Sequence, residues 1–116
     1  MYSIEEKTLQ TGPHQKKVYV ITFHDPKQAI LGEFLMTDAP LLNYQILGKI
    51  EQVLTGECAE VTSSGQRTSL VMKKNTTRIE DMFVDLYPDL TTYPAYTIET
   101  VQLKELIQMW REKTTE

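Results

Sequence analysis

The chain has 116 residues, 41% of them apolar and 24% charged, with a net charge of minus 4. These values fit one globular domain able to bury a core without metal or disulfide support, and they exclude disordered and collagen-like classes. A lone cysteine, Cys58, excludes an internal disulfide framework, and the apolar runs are far shorter than the roughly 20 residues a membrane helix needs.

No charged-then-apolar leader opens the sequence as given, so a reducing cytoplasm is the expected home. The acidity is unevenly placed. From Ile79 to Leu103 the charged residues are the acids Glu80, Asp81, Asp85, Asp89 and Glu99, with no lysine or arginine, so this stretch nets minus 5 and the remainder plus 1. Such a block repels nucleic acid and steers a basic partner; a solvated acidic loop gives the same pattern.

In chain order, "YSIEEKTL" alternates weakly, and "TGPH" supplies turn residues before "KKVYVITFH", whose β-branched and aromatic content predicts a strand. "DPKQ" reads as a turn and "AILGEFLMT" as a third strand, joined to the second by a hairpin. The period then changes. Asp38 as N-cap, Pro40 in the first turn and Leu42, Ile46, Leu47, Ile50, Val53 and Leu54 at helical spacing predict a helix over 39–55, stopped by Gly56. Gly48, inside it, either marks close packing on the sheet or has no role.

"CAEVTSSGQRTSLVMKK" reads as two strands around "SSGQ", with Gly65 supplying the positive φ of a tight hairpin. "NTTRIEDMFVDLYPD" alternates as a sixth strand, placing Ile79, Asp81 and Phe83 on one face and Arg78, Glu80, Met82 and Val84 on the other. Which of these faces is buried is not legible. Pro88 and Pro94 bracket a loop. The last element has Leu103, Leu106, Ile107 and Trp110 at i, i+3, i+4 and i+7, with Thr100 as N-cap and Arg111 and Lys113 at the negative end of the dipole. Trp110 is thus expected to pin this helix to the sheet, with Leu106, Ile50 and Leu47 under the same face. The predicted order βββαβββα makes an α+β domain over 1–116: an antiparallel sheet of about six strands with two helices packed on one face.

No catalytic constellation emerges. His14 and His24, with Cys58, would make at most a three-ligand set of no standard metal spacing. "GECAE" puts a carboxylate on either side of Cys58, Glu57 next to it and Glu60 two residues on, in a segment with no nucleophile motif, and negative neighbours disfavour a thiolate. The carboxylates Glu80, Asp81, Asp85 and Asp89 do not match a calcium loop, no zinc-binding "HExxH" occurs, and "SSGQ" is too short to cradle phosphate. "NTT" at Asn75 matches a glycosylation sequon without secretory context. The lysine pairs at 16–17 and 73–74 are isolated, which disfavours nucleic-acid binding. No enzyme, cofactor, metal or membrane partner is implied.

The second half of the chain, with the strand "TTRIEDMF", an acidic proline-containing loop and then "YTIETVQLKELIQMW", resembles the small immunity proteins of bacterial polymorphic toxin systems, including those of contact-dependent growth inhibition. The resemblance lies in the order of parts and includes no invariant motif, so it transfers no functional residue. It implies a cytoplasmic inhibitor that binds a cognate toxin domain, often a nuclease with a basic surface, and blocks its active site or substrate access. Charge and amphipathic aromatic area then nominate Glu80, Asp81, Asp85, Tyr87, Asp89 and Tyr93 as partner-binding residues. Tyr87 and Tyr93 could instead pack locally around the prolines. The alternative function is a small phage or mobile-element accessory protein that binds another protein; an enzyme whose site leaves no sequence trace is the third class. Oligomeric state is left open.

Overall fold

The computed structural model describes residues 2–41, 44–86 and 92–114. Two antiparallel sheets are present, a two-stranded ribbon and a four-stranded sheet, with helices on the latter, so the architecture is α+β.

Strands β1 (Tyr2–Thr11) and β2 (His14–Phe23) pair over their full length, from Tyr2 opposite Phe23 to Thr11 opposite His14. Gly12, at φ +61°, and Pro13 make the connecting turn, as the first central position of a primed two-residue turn requires. From Glu5 to Lys17, around the turn, both strands are exposed on both faces. This free-standing ribbon lengthens the molecule to 49 Å.

The stretch expected as a third strand is helical. A 3-10 turn (Pro26–Gln28) leads into α1 (Ala29–Glu33), a π-turn (Phe34–Asp38) and α2 (Ala39–Leu41). Asp25 is its cap, accepting from the Lys27 N–H at 2.9 Å, and Pro26 occupies the first position, where a missing N–H costs nothing. Ile30, Leu31, Phe34, Leu35 and Ala39 are buried on one helical face. Asp-Pro therefore opens a helix here instead of turning a hairpin. The wide π-turn immediately precedes Pro40, whose ring an ordinary α-turn would press against the carbonyl one turn back.

The following helix, α3 (Ile46–Leu54), is shorter than expected and starts after Tyr44, which is left-handed at φ 58°. Leu42 lies outside the described residues. Gly56, at φ +83°, ends the segment as expected, whereas Gly48 is exposed and approaches nothing, so it has no packing role.

Strands β3 (Glu60–Ser64), β4 (Thr68–Lys73), β5 (Thr76–Asp81) and β6 (Tyr96–Glu99) follow in sheet order β3-β4-β5-β6, all antiparallel, with a helical turn α4 (Phe83–Leu86) between β5 and β6. The stretch expected as the sixth strand is a strand only over Thr76–Asp81, since Phe83 and Val84 lie in the helical turn; "YTIE" supplies the last strand, and the first two strands form a sheet of their own. Alternation is strict: Leu70, Met72, Thr77, Ile79, Asp81 and Ile98 face inward, while Lys73, Thr76, Arg78, Glu80, Thr97 and Glu99 are exposed.

Helix α5 (Thr100–Thr114) buries Leu103, Ile107 and Trp110. Trp110 and Ile50 lie in the core, with Leu47 and Leu106 packed against it, in keeping with the helical stripe. Thr100 does more than begin the helix: its hydroxyl donates to the Lys73 carbonyl at 2.5 Å and lies 2.9 Å from that of Thr77, tying α5 to the β4–β5 hairpin.

Candidate protein-binding cleft

A concavity of about 480 Å³ opens where the base of the ribbon meets β6 and α5. Gln102, Glu105, Leu106 and Met109 recur at i, i+3, i+4 and i+7 on α5 and form one wall beside the helix's buried stripe. Tyr2 and Phe23 form the opposite wall. They are register partners at the ribbon's base, with ring centroids 5.6 Å apart and planes tilted by 53°. Leu31 and Ile98 add apolar surface, and the Tyr96 hydroxyl accepts from Gln28 Nε2 at 2.9 Å across the cleft. The lining is aromatic, aliphatic and amide, with Glu105 its single ionisable carboxylate. Such a surface can bury a partner's apolar side chain and orient it by hydrogen bonds. A lone carboxylate offers no acid–base pair.

The residues nominated from charge do not gather at this cleft. Glu80 is on the open sheet face, paired with Arg78 at 2.7 Å. Asp81 is turned inward with no side-chain exposure, bound by Arg67 Nη2 at 3.0 Å and by the N–H groups of Phe83 and Tyr93, both at 3.0 Å. It therefore closes a loop inside the fold and presents no carboxylate to a partner. Burial pushes its carboxyl up, but the Arg67 hydrogen bond and the two backbone donors outweigh burial and hold it below the ordinary carboxylate range.

Tyr93 is half-buried and committed locally: the Arg67 guanidinium lies 4.8 Å from its ring centroid and 4.9 Å from that of Phe83. The expected local partners are Pro88 and Pro94; the partner seen at the Tyr93 ring is Arg67. Tyr87, Asp89 and the side chain of Asp85 lie outside the described residues. The acidic block is thus milder in space than in sequence, since Arg67 from the β3–β4 turn and Arg78, just before the block, face two of its five acids.

Sequence reasoning missed the role of Asp38. Although 1% exposed, it is no helix cap; its carboxylate accepts from the N–H groups of Gln66 and Thr68, both at 2.8 Å, and from the Thr68 hydroxyl. These partners are about thirty positions away, beyond the reach of any local signal. The Cys58 side chain is half-buried, His24 Nε2 lies 2.6 Å from the Ser3 hydroxyl, and His14 is exposed at the ribbon tip. Among the described residues no group of three or more histidine, cysteine, aspartate or glutamate side chains is placed to hold a metal ion, and no helix is long and apolar enough to cross a membrane.

Comparison of the chain with protein-family models, with curated proteins and with solved structures gave no match.

Proposed function

We propose that this chain is a non-enzymatic immunity protein that neutralises a cognate bacterial toxin domain by forming a stoichiometric complex. The observation that carries this reading is the lining of the cleft on α5 and β6. Two tyrosines, a phenylalanine and a methionine around amide groups are the residue types that supply rigid, amphipathic contact area at interface hot spots. The order of parts behind the family resemblance also supports it: β5, then a proline-containing segment, then β6 running directly into a helix that buries Trp110.

Binding shifts, in this proposal, from the acidic loop alone to the α5–β6 cleft. Glu105 at the cleft and Glu80 and Glu99 on the open sheet face remain exposed and can steer a basic toxin nuclease. The test is co-expression with a candidate toxin domain encoded by a neighbouring gene, followed by measurement of complex stoichiometry and residual toxin activity. A one-to-one complex with activity abolished supports the proposal. Full toxin activity in the presence of excess folded protein would end it.

A further inference from the structure

A second groove, of about 420 Å³, shares no lining residue with the cleft above. One wall is Lys16, Lys17, Val18 and Tyr19 of β2. Successive strand side chains point to opposite faces, so four consecutive residues can line one groove only if it runs along the strand's edge. That edge is open: β2 has β1 as its only strand neighbour, and among the described residues the backbone of 16–19 bonds to nothing else. Further along, the helical stretch closes the same edge. A Cβ added to Gly32 would lie 3.3 Å from the Ile21 carbonyl oxygen, so the helix backbone sits against the strand there. The edge is thus covered at Ile21 and uncovered at Lys16–Tyr19.

Tyr44, Trp110 and Thr114 form the facing wall. Trp110 is 2% exposed, yet its Nε1–H is a buried donor with no acceptor among the described residues. An indole nitrogen can only donate, and leaving such a group unbonded in the interior costs free energy. Tyr44 holds its ring in this wall from a left-handed backbone conformation, which is unfavourable for an aromatic residue, and its hydroxyl lies 3.2 Å from that of Thr114. Among the described residues the charges around the groove are mainly basic. Lys16 and Lys17 line it, Arg111 lies over the Tyr44 ring at 5.7 Å and Lys113 over the Tyr19 ring at 5.6 Å; Glu6, at 3.5 Å from Lys17, is an acid at the rim.

We propose that this groove binds an acidic peptide segment in extended form, added along the open edge of β2, with carboxylates facing Lys16 and Lys17 and alternate side chains set against the Tyr44–Trp110 wall. The edge supplies main-chain hydrogen bonds and the aromatic wall supplies pockets for alternate side chains, the two elements of strand-addition recognition. Peptide is favoured over nucleic acid because a chain of net charge minus 4 repels a long polyanion, while a short acidic segment meets only the local lysines. The site is independent of the toxin-neutralising cleft, so either can fail without the other.

Trp110 is the only tryptophan, so fluorescence of the full chain reads this wall directly. The probe is a short capped peptide of alternating glutamate and valine, with its lysine–valine counterpart and a single-stranded oligonucleotide as comparisons. The expected result is a saturable change in Trp110 emission with the acidic peptide alone, weakened at least about tenfold by the double substitution Lys16→Glu/Lys17→Glu. Both lysines are exposed, and an unchanged thermal midpoint verifies that the variant is folded. No response to the acidic peptide, an equal response to the basic one, a tighter response to the oligonucleotide, or equal affinity in the double variant would each overturn the proposal.

Discussion

The Asp38 carboxylate occupies the space that a side chain at Gly65 would need: a Cβ built there would lie 2.6 Å from Oδ1 and 2.7 Å from Oδ2. Gly65 is therefore required for close approach, since its φ is not positive and the hairpin makes no left-handed demand on it. Gly65→Ala should cost about 1–3 kcal/mol by overpacking. Asp38→Ala should also destabilise, by leaving the N–H groups of Gln66 and Thr68 without their acceptor. Because both substitutions act on one contact, the double variant should lose less than the sum, measured as urea midpoints of all four proteins. Strict additivity would show that the two residues do not meet.

The Arg67–Asp81 pair carries a pH prediction. Asp81 has a folded pKa below its unfolded value of about 3.9, so its contribution is complete above that value and is lost as pH falls through the folded one. Stability should thus decline in acid more steeply for the wild type than for Asp81→Asn. At neutral pH that variant should cost about 2–3 kcal/mol, less than for a fully buried pair because the Arg67 side chain retains 21% exposure. Urea unfolding of both proteins across the acid range checks slope and magnitude together.

Trp110 separates packing from hydrogen bonding. Trp110→Ala should cost about 3–5 kcal/mol for the lost core volume. Trp110→Phe should cost only about 1–2 kcal/mol, because the Nε1–H it removes makes no bond to the described residues. Thermal or urea unfolding distinguishes these outcomes; a phenylalanine variant as damaged as the alanine one would mean that the indole nitrogen has a structural partner.

The elements with long, clean periodicity were legible in the sequence: the apolar stripe ending in Trp110, the hairpin around "SSGQ" and the strand through Ile79. "AILGEFLMT" misled because a short apolar run suits a buried strand and a buried helix equally, and the deciding signal, Asp25 capping ahead of Pro26, lay upstream in a segment that also reads as a turn. The strand "YTIE" was too short to stand apart from the helix it enters. For the site, the charge count found the acids but not their directions. Asp81 faces inward because strand alternation sets it on the face of Ile79, while the arginine that neutralises it is 14 residues away in sequence. The cleft joins Tyr2 and Phe23 to Tyr96 and α5, a juxtaposition of chain segments that no local pattern encodes.

The cleft itself carries the fourth prediction. Gln102 and Glu105 are exposed on α5, so Gln102→Arg/Glu105→Arg should leave the thermal midpoint within about 0.5 kcal/mol of wild-type stability while blocking the cleft with bulk and positive charge. Against a basic toxin domain, the double variant should bind at least about tenfold more weakly, with the deficit largest at low salt.

The most direct measurement of the central claim is titration calorimetry of this protein against a candidate toxin domain encoded by a neighbouring gene, with the wild type and the Gln102→Arg/Glu105→Arg variant in parallel. The proposal predicts a one-to-one complex for the wild type and a weakened one for the variant. Absence of heat and of complex with a folded, active toxin domain would contradict it, and equal affinity of the two proteins would remove the α5–β6 cleft from the interface.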